Sequence, residues 1–224
     1  MNSKEFKYLL YLQIFTLVLV LILVVNSLQT RVAESVTASR PMSSASSMVP
    51  ENTVKINGQD SYLFGQKEAP NFLLVFSNYN CSHCRYFYTH VMDSLDRDFI
   101  KNGRLKVVSK SMVRPEDKMG YLLARLVEVG RQTGKFLQVH HAFTSREEDV
   151  VDSLKAVQIA YEAGLTEEEV RLRLNAPFTL QQVNGDYKAA EALNIKGTPS
   201  FVLNGKVHPG YMTYGDIAKE LSQK

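Results

Sequence analysis

Two cysteines, no tryptophan and no block of lysines or arginines stand in 224 residues, and these scarcities bound what the chain can be. Two cysteines are too few for a disulfide-stapled scaffold. They are also too few for a closed thiolate zinc site unless histidines complete it. The charge is near balance, at a formal +3, and no nucleic-acid-binding motif is present, so nothing points to a nucleic-acid partner. The missing tryptophan excludes little, and no internal repeat is visible. What the chain does have is apolar content: at 45% hydrophobic residues it can bury one good core with a subdomain beside it.

The longest apolar run lies at the N-terminus. Tyr8 to Val25 carries no charge, and only Gln13 and Thr16 interrupt it. At about 1.5 Å rise per residue, roughly 18 to 20 such residues cross about 30 Å of hydrocarbon. Tyr8 and Tyr11 fall where an interfacial aromatic belt sits. The run is long for a signal peptide. The nearest small-residue cleavage site, Val36-Thr37-Ala38, lies well downstream, so an uncleaved anchor over residues 1–28 is expected. Residues 29–52 follow as a Ser/Ala/Pro-rich linker with little to bury.

Beyond the linker, Thr53 to Asn57 alternates and meets Gly58, predicting a short edge strand. Phe72 to Phe76 is a continuous apolar run, as in a strand buried on both faces. Phe87, Val91, Leu95, Phe99 and Ile100 then recur at helical spacing, and Leu105 to Lys110 reads as another strand. Strand, helix, strand in that order predicts a parallel βαβ unit. From Arg114 the strands stop. Helices are predicted from Pro115, after Gly134, from Asp152, from Thr166 and over Thr179 to Leu193. Thr166 and Glu169 have the spacing of a capping box. His140 and His141 lie on one of these helices without visible metal partners, and packing explains them. Asn204-Gly205 between two apolar runs signals a hairpin, and a last helix spans Tyr214 to Leu221.

Both cysteines fall in one place, Asn80-Cys81-Ser82-His83-Cys84-Arg85, where the buried strand hands over to a helix N-terminus. Unpaired backbone N–H groups and the positive end of the helix dipole stabilise a thiolate there.

Cys81-Ser82-His83-Cys84 at a helix start, followed after a helical stretch by Gly197-Thr198-Pro199-Ser200-Phe201 before a hairpin, resembles the DsbA-like branch of the thioredoxin superfamily. The resemblance spans roughly residues 60–222. It implies an α/β thioredoxin-like fold over 53–113 and 184–224, with 114–183 an inserted helical subdomain and a transmembrane helix in front. It also implies roles. Cys81 would be the exposed nucleophile and Cys84 its buried partner. His83 and Ser82 would form the dipeptide that tunes the thiolate. Pro199 would be a cis-proline facing the pair, and Thr198 would present its backbone to an extended substrate. The sequence departs from the pattern at Ser82, where proline is usual, and at Val75 and Asn78, where acids are common.

The chemistry such a pair supports is exchange: a substrate thiolate attacks Cys81, and a second substrate thiol resolves the mixed disulfide. The resemblance implies an oxidase of cysteine-containing unfolded proteins, acting as a monomer without cofactor. Its domain would lie on the outer side of a bacterial inner membrane, and a DsbB-like membrane protein would reoxidise it. A reductase or isomerase of the same fold, a module binding metal through Cys81, His83 and Cys84, a chaperone, and a static disulfide remain open.

Overall fold

The computed structural model describes residues 16–21, 23 and 62–223. The chain divides into two compact units, Met1–Ser46 and Ser47–Lys224. In the first, residues 16–21 and 23 are helical, and Leu17, Leu21 and Leu23 are exposed. Among the described residues no helix is long and apolar enough to cross a membrane. The rest of the expected anchor, the linker and the strand expected at Thr53–Asn57 lie outside the described residues.

The second unit holds a five-stranded sheet. Its strands are β1 (Tyr62–Phe64), β2 (Asn71–Ser77), β3 (Leu105–Ser111), β4 (Ser200–Leu203) and β5 (Lys206–Pro209), in the spatial order β1-β3-β2-β4-β5. β2 runs parallel to β3 and antiparallel to β4, while β1 and β5 close the edges antiparallel. The βαβ unit expected from the sequence is therefore present. β1 was not foreseen: three residues are too few to show a period, and what makes them a strand is pairing with β3 more than forty positions on.

β2 is central because every residue after its first is buried. Its side chains alternate between two cores, as the pleat demands. Leu73 and Val75 pack with Phe201, Leu203, Phe87 and Ile217. Phe72, Leu74 and Phe76 pack on the other face with Val108, Val202 and Ala190. The crossover helix, α1, continues from Ser82 to Ile100. Its α-turns, Ser82–Tyr86 and Met92–Leu95, alternate with π-turns, Phe87–Val91 and Asp96–Ile100. The widened turns keep the whole predicted stripe, Phe87 through Ile100, facing the sheet and buried.

Five helices follow: α2 (Lys118–Gln132), α3 (Phe136–Thr144), α4 (Ser153–Glu162), α5 (Glu167–Arg173) and α6 (Pro177–Ala192). They build a core of their own from Leu123, Leu126, Val139, Phe143 and Ala160, among others. This is the helical insertion in a thioredoxin-like fold. α2 begins later than Pro115 suggested, because Asp117 is its cap, accepting the Gly120 N–H at 2.9 Å. The Thr166–Glu169 capping box forms as expected. The last turn of α6 returns to the sheet through Ala190.

The hairpin turn has Asn204 and Gly205 both at positive φ (50° and 88°), the conformation a type I′ turn requires. Asn204 also holds the far end of β2. Its backbone N–H donates to Phe72 O at 3.0 Å, its Oδ1 accepts the Phe72 N–H at 3.0 Å, and its Nδ2 donates to Asn71 Oδ1 at 2.9 Å. α7 (Tyr214–Leu221) closes the unit on the α1 side, with an unforeseen capping box between Thr213 and Asp216.

Candidate active site

Cys81 caps α1 in an extended conformation, and its carbonyl accepts the Arg85 N–H at 3.0 Å. Its own N–H donates to Asn78 O at 3.0 Å, which ties the turn between β2 and the helix. Both thiols are free; Cys81 is half-buried, while Cys84 is 2% exposed. Cys81 Sγ stands 3.4 Å from the Thr198 carbonyl oxygen, and the Thr198–Pro199 peptide is cis. Three of the six residues expected at the site therefore meet around one sulfur, Cys81, Cys84 and Thr198, and buried Pro199 follows Thr198 in the chain. Ser82 and His83 are exposed on the first helical turn. The His83 ring lies 6.4 Å from that of Tyr211.

The two thiols are driven apart. A hydrogen bond with the Cys84 thiol, seconded by the backbone at Cys84, Thr198 and the backbone at His83, pulls Cys81 down to about 5 against partial burial. Cys81 is thus a thiolate at neutral pH, held by donors of the helix start. Burial pushes Cys84 far above the ordinary thiol range, and the neighbouring Cys81 charge pushes it further. His83 contributes here through its backbone N–H.

The loop carrying the motif is locked to the helical insertion by residues whose roles sequence reasoning did not assign. The buried Arg85 guanidinium donates to the carbonyls of Tyr79 (3.2 Å), Arg146 (2.9 Å) and Glu147 (3.2 Å), and pairs with Asp149 at 2.9 Å. The Asn80 side chain mimics a strand: Nδ2 donates to Val150 O at 2.8 Å and Oδ1 accepts the Val150 N–H at 2.9 Å. Asn78 accepts the Asn80 N–H at 2.9 Å and donates to Asp117 Oδ2 at 2.8 Å. The only signal available beforehand was a charged residue, Arg85, inside the first turn of an otherwise apolar helix face.

Beneath the site the interior is polar. Tyr88 OH lies 2.7 Å from Ser109 Oγ and 3.4 Å from Ser77 Oγ. Tyr79 OH lies 3.0 Å from Nδ1 of buried His140, whose ring meets that of Tyr88 edge-on at 4.4 Å. Burial drives His140 down to about 3, so it is neutral. Lys110 and Asp186, both nearly buried, pair at 2.8 Å and tie β3 to α6. Among the described residues no three His, Cys, Asp or Glu side chains gather to hold a metal ion.

The fold and the paired thiols define a class. The chain belongs to the thioredoxin family, whose model, described as Thioredoxin, matches residues 57–222, and its resemblance to the DsbA-like thiol:disulfide oxidoreductases is supported by the relatives that follow. It is 23% identical over 181 residues to Disulfide bond formation protein D of Bacillus subtilis (strain 168), covering 75% of this chain and 81% of that protein. It is also 23% identical over 156 residues to the Na(+)/H(+) antiporter NhaA 1 of Mycobacterium sp. (strain KMS), but spans only 25% of that protein's length. Among solved structures it is similar to BdbD from Bacillus subtilis in its oxidised form, with a TM-score of 0.64 at 22% identity over 74% of this chain and 92% of that one.

Proposed function

We propose that the chain oxidises cysteine pairs of unfolded proteins outside the cytosol, through Cys81 as nucleophile and Cys84 as resolving partner. The carrying observation is the asymmetry of the two thiols: a half-exposed thiolate at a helix start above a buried, protonated partner. In the oxidised enzyme a substrate thiolate attacks Cys81 Sγ, and the electron pair of the broken S–S bond passes to Cys84. A second substrate thiolate attacks the substrate sulfur of the mixed disulfide and releases Cys81 as a thiolate. Because that thiolate is stabilised, the reduced enzyme is favoured and the oxidised enzyme is a strong oxidant. Pro199 and the backbone at Thr198 form the wall against which an extended substrate segment lies, and Ser82 and His83 border it.

Residues 53–113 and 184–224 form the exchange domain in this reading, and 114–183 the insertion. The uncharged run Tyr8 to Val25 supports a single-pass anchor in the bacterial inner membrane, with the domain held outside as a monomer. Reoxidation then falls to a DsbB-like membrane oxidase. The test is the equilibrium of the Cys81–Cys84 pair with glutathione. A potential well above the roughly −270 mV of thioredoxin is expected, and one close to that figure would make the protein a reductase. Labelling of Cys81 in intact cells by a membrane-impermeant maleimide tests the location; labelling only after lysis overturns it.

A further inference from the structure

The turn that presents Cys81 belongs as much to the insertion as to the sheet. Tyr79, two residues before the sulfur, is buried in the insertion's core, and so is Val150. Val150 lies in the irregular stretch that joins α3 to α4, and residues 146–150 of that stretch lie against the turn. Asn80 clasps the Val150 backbone by two hydrogen bonds, at 2.8 and 2.9 Å. The Arg85 fork gathers the carbonyls of Tyr79, Arg146 and Glu147, and Asp149 pairs with the same guanidinium. Inside the turn, Asn78 accepts the Asn80 N–H with its side chain and the Cys81 N–H with its carbonyl. The backbone is therefore held on both sides of Cys81. Asn80 fixes it before the sulfur, and Arg85, whose N–H donates to the Cys81 carbonyl at 3.0 Å, fixes it after.

Position 82 gives this hold its meaning. Ser82 is the first residue of α1, and serine leaves φ free to vary there. A proline would fix φ at about −65° and forgo an N–H that the helix leaves unpaired anyway. The backbone is ready for one: Cys81 is extended, with φ −93° and ψ 117°, the conformation a residue before proline adopts. In its place the chain steadies the turn from outside. The Cys81 sulfur stands 3.4 Å from the Thr198 carbonyl oxygen, and a tilt of the turn would carry it away from that contact and from the helix donors together.

We propose that residues 146–150 are a working part of the redox site: through Asn80 and Arg85 they hold the turn over residues 78–81 so that the Cys81 sulfur stays within reach of the helix N–H groups and Thr198, a restraint that a proline ring at position 82 would otherwise supply. Asn80 and Arg85 are positioning residues, acting on Cys81 through the backbone on either side of it. The inference rests on the exchange reading for its consequence, since a turn that tilts would weaken Cys81 as a leaving group. The ionisation of Cys81 is measured without any substrate.

The test follows the pH dependence of Cys81 alkylation by iodoacetamide in the reduced, full-length protein. Asn80→Ala removes both bonds to Val150, and Arg85→Lys keeps the charge but loses the fork. Neither adds or removes a charge. Each is expected to raise the midpoint by about one pH unit, which slows alkylation at pH 5 about fivefold. Ser82→Pro, added to either variant, is expected to return the midpoint to within about 0.3 unit of that of Ser82→Pro alone. Thr166→Ala, which removes a cap whose hydrogen bonds stay within its own helix, is expected to destabilise the protein and leave the midpoint at the wild-type value. Unmoved midpoints in both Asn80→Ala and Arg85→Lys overturn the proposal. So does a rise that persists undiminished beside Ser82→Pro, or one that Thr166→Ala reproduces. Oxidised wild-type protein that leaves a dithiol peptide reduced would instead sink the exchange reading, and the midpoints would still decide the role of residues 146–150.

Discussion

Cys81 and Cys84 are three residues apart on one helix, yet they occupy opposite environments. At the mouth, half-buried Cys81 takes hydrogen bonds from the Cys84 thiol, the Thr198 side chain and the backbone N–H groups at Cys84 and His83, and these stabilise its charge. On the floor, Cys84 sits on tightly packed side chains with hydroxyls below, and burial makes a charge expensive. One turn of helix is enough for the difference, because the first turn projects its N–H groups outward while the next face already packs on the sheet. Reactivity at this site is a property of position in the fold as much as of the residue.

The sharpest way to break the contrast is to remove each sulfur in turn. Cys81→Ser is expected to abolish exchange, whereas Cys84→Ser should accumulate mixed disulfides through Cys81. Electrophoresis of trapped adducts separates the two outcomes, and adducts that form equally through either cysteine would erase the distinction between mouth and floor. Next in size is the lock on the loop. Arg85→Met leaves the buried Tyr79 carbonyl, the part-buried carbonyls of Arg146 and Glu147 and the exposed Asp149 carboxylate without their partner, so a loss of about 1–3 kcal/mol is expected in urea unfolding, with faster hydrogen exchange over residues 145–150.

The mouth is then sharpened by titration. The alkylation rate of reduced protein should rise with pH around a midpoint near 5 and be flat at neutrality. Because this folded-state value lies below that of an unfolded thiol, ionised Cys81 stabilises the reduced fold fully only above the unfolded value of about 8.5. That stabilisation is lost as pH falls and is gone below about 5, so chemical denaturation of reduced and oxidised protein should converge toward acid. The floor has its own signature. His140 is neutral in the fold down to about 3, while an unfolded histidine takes a proton near 6.5. Stability should therefore fall as pH drops from about 6.5 to 3 in both redox forms, and His140→Phe should remove that part of the slope. The smallest effect is expected at Gly120. An added Cβ there would press on the Asp117 carboxylate and on Asn78, costing about 1 kcal/mol and disturbing the turn before Cys81.

Most of the sheet, its crossover helix and the hairpin were legible because their signals are local. The apolar run of β2, the stripe of α1, the Asn204-Gly205 pair and the Thr166 capping box each report conformation within a few residues. The cysteine pair was legible for the same reason. What escaped depends on distant partners. β1 exists through its pairing with β3. Asn80 and Val150 are joined across 70 positions, and Lys110 and Asp186 across 76. No period in the sequence announces such pairs. Nor does composition reveal that Tyr79, Tyr88 and Ser109 share one interior, since each alone reads as an ordinary core or strand residue. The π-turns of α1 are hidden likewise, because an apolar stripe tolerates one extra residue per turn without losing its face.

Asn204 gives the site a ruler. The residue stands at the end of the β2–β4 pair remote from the sulfurs, and its three hydrogen bonds to Asn71 and Phe72 leave β4 a single way to sit against β2. A slip of one residue would carry Thr198 along by about 3.3 Å and turn Phe201 out of its core. The span between the Thr198 carbonyl and the Cys81 sulfur is thus measured out from the hairpin tip, so that an amide side chain far from the chemistry sets the gauge of the cleft.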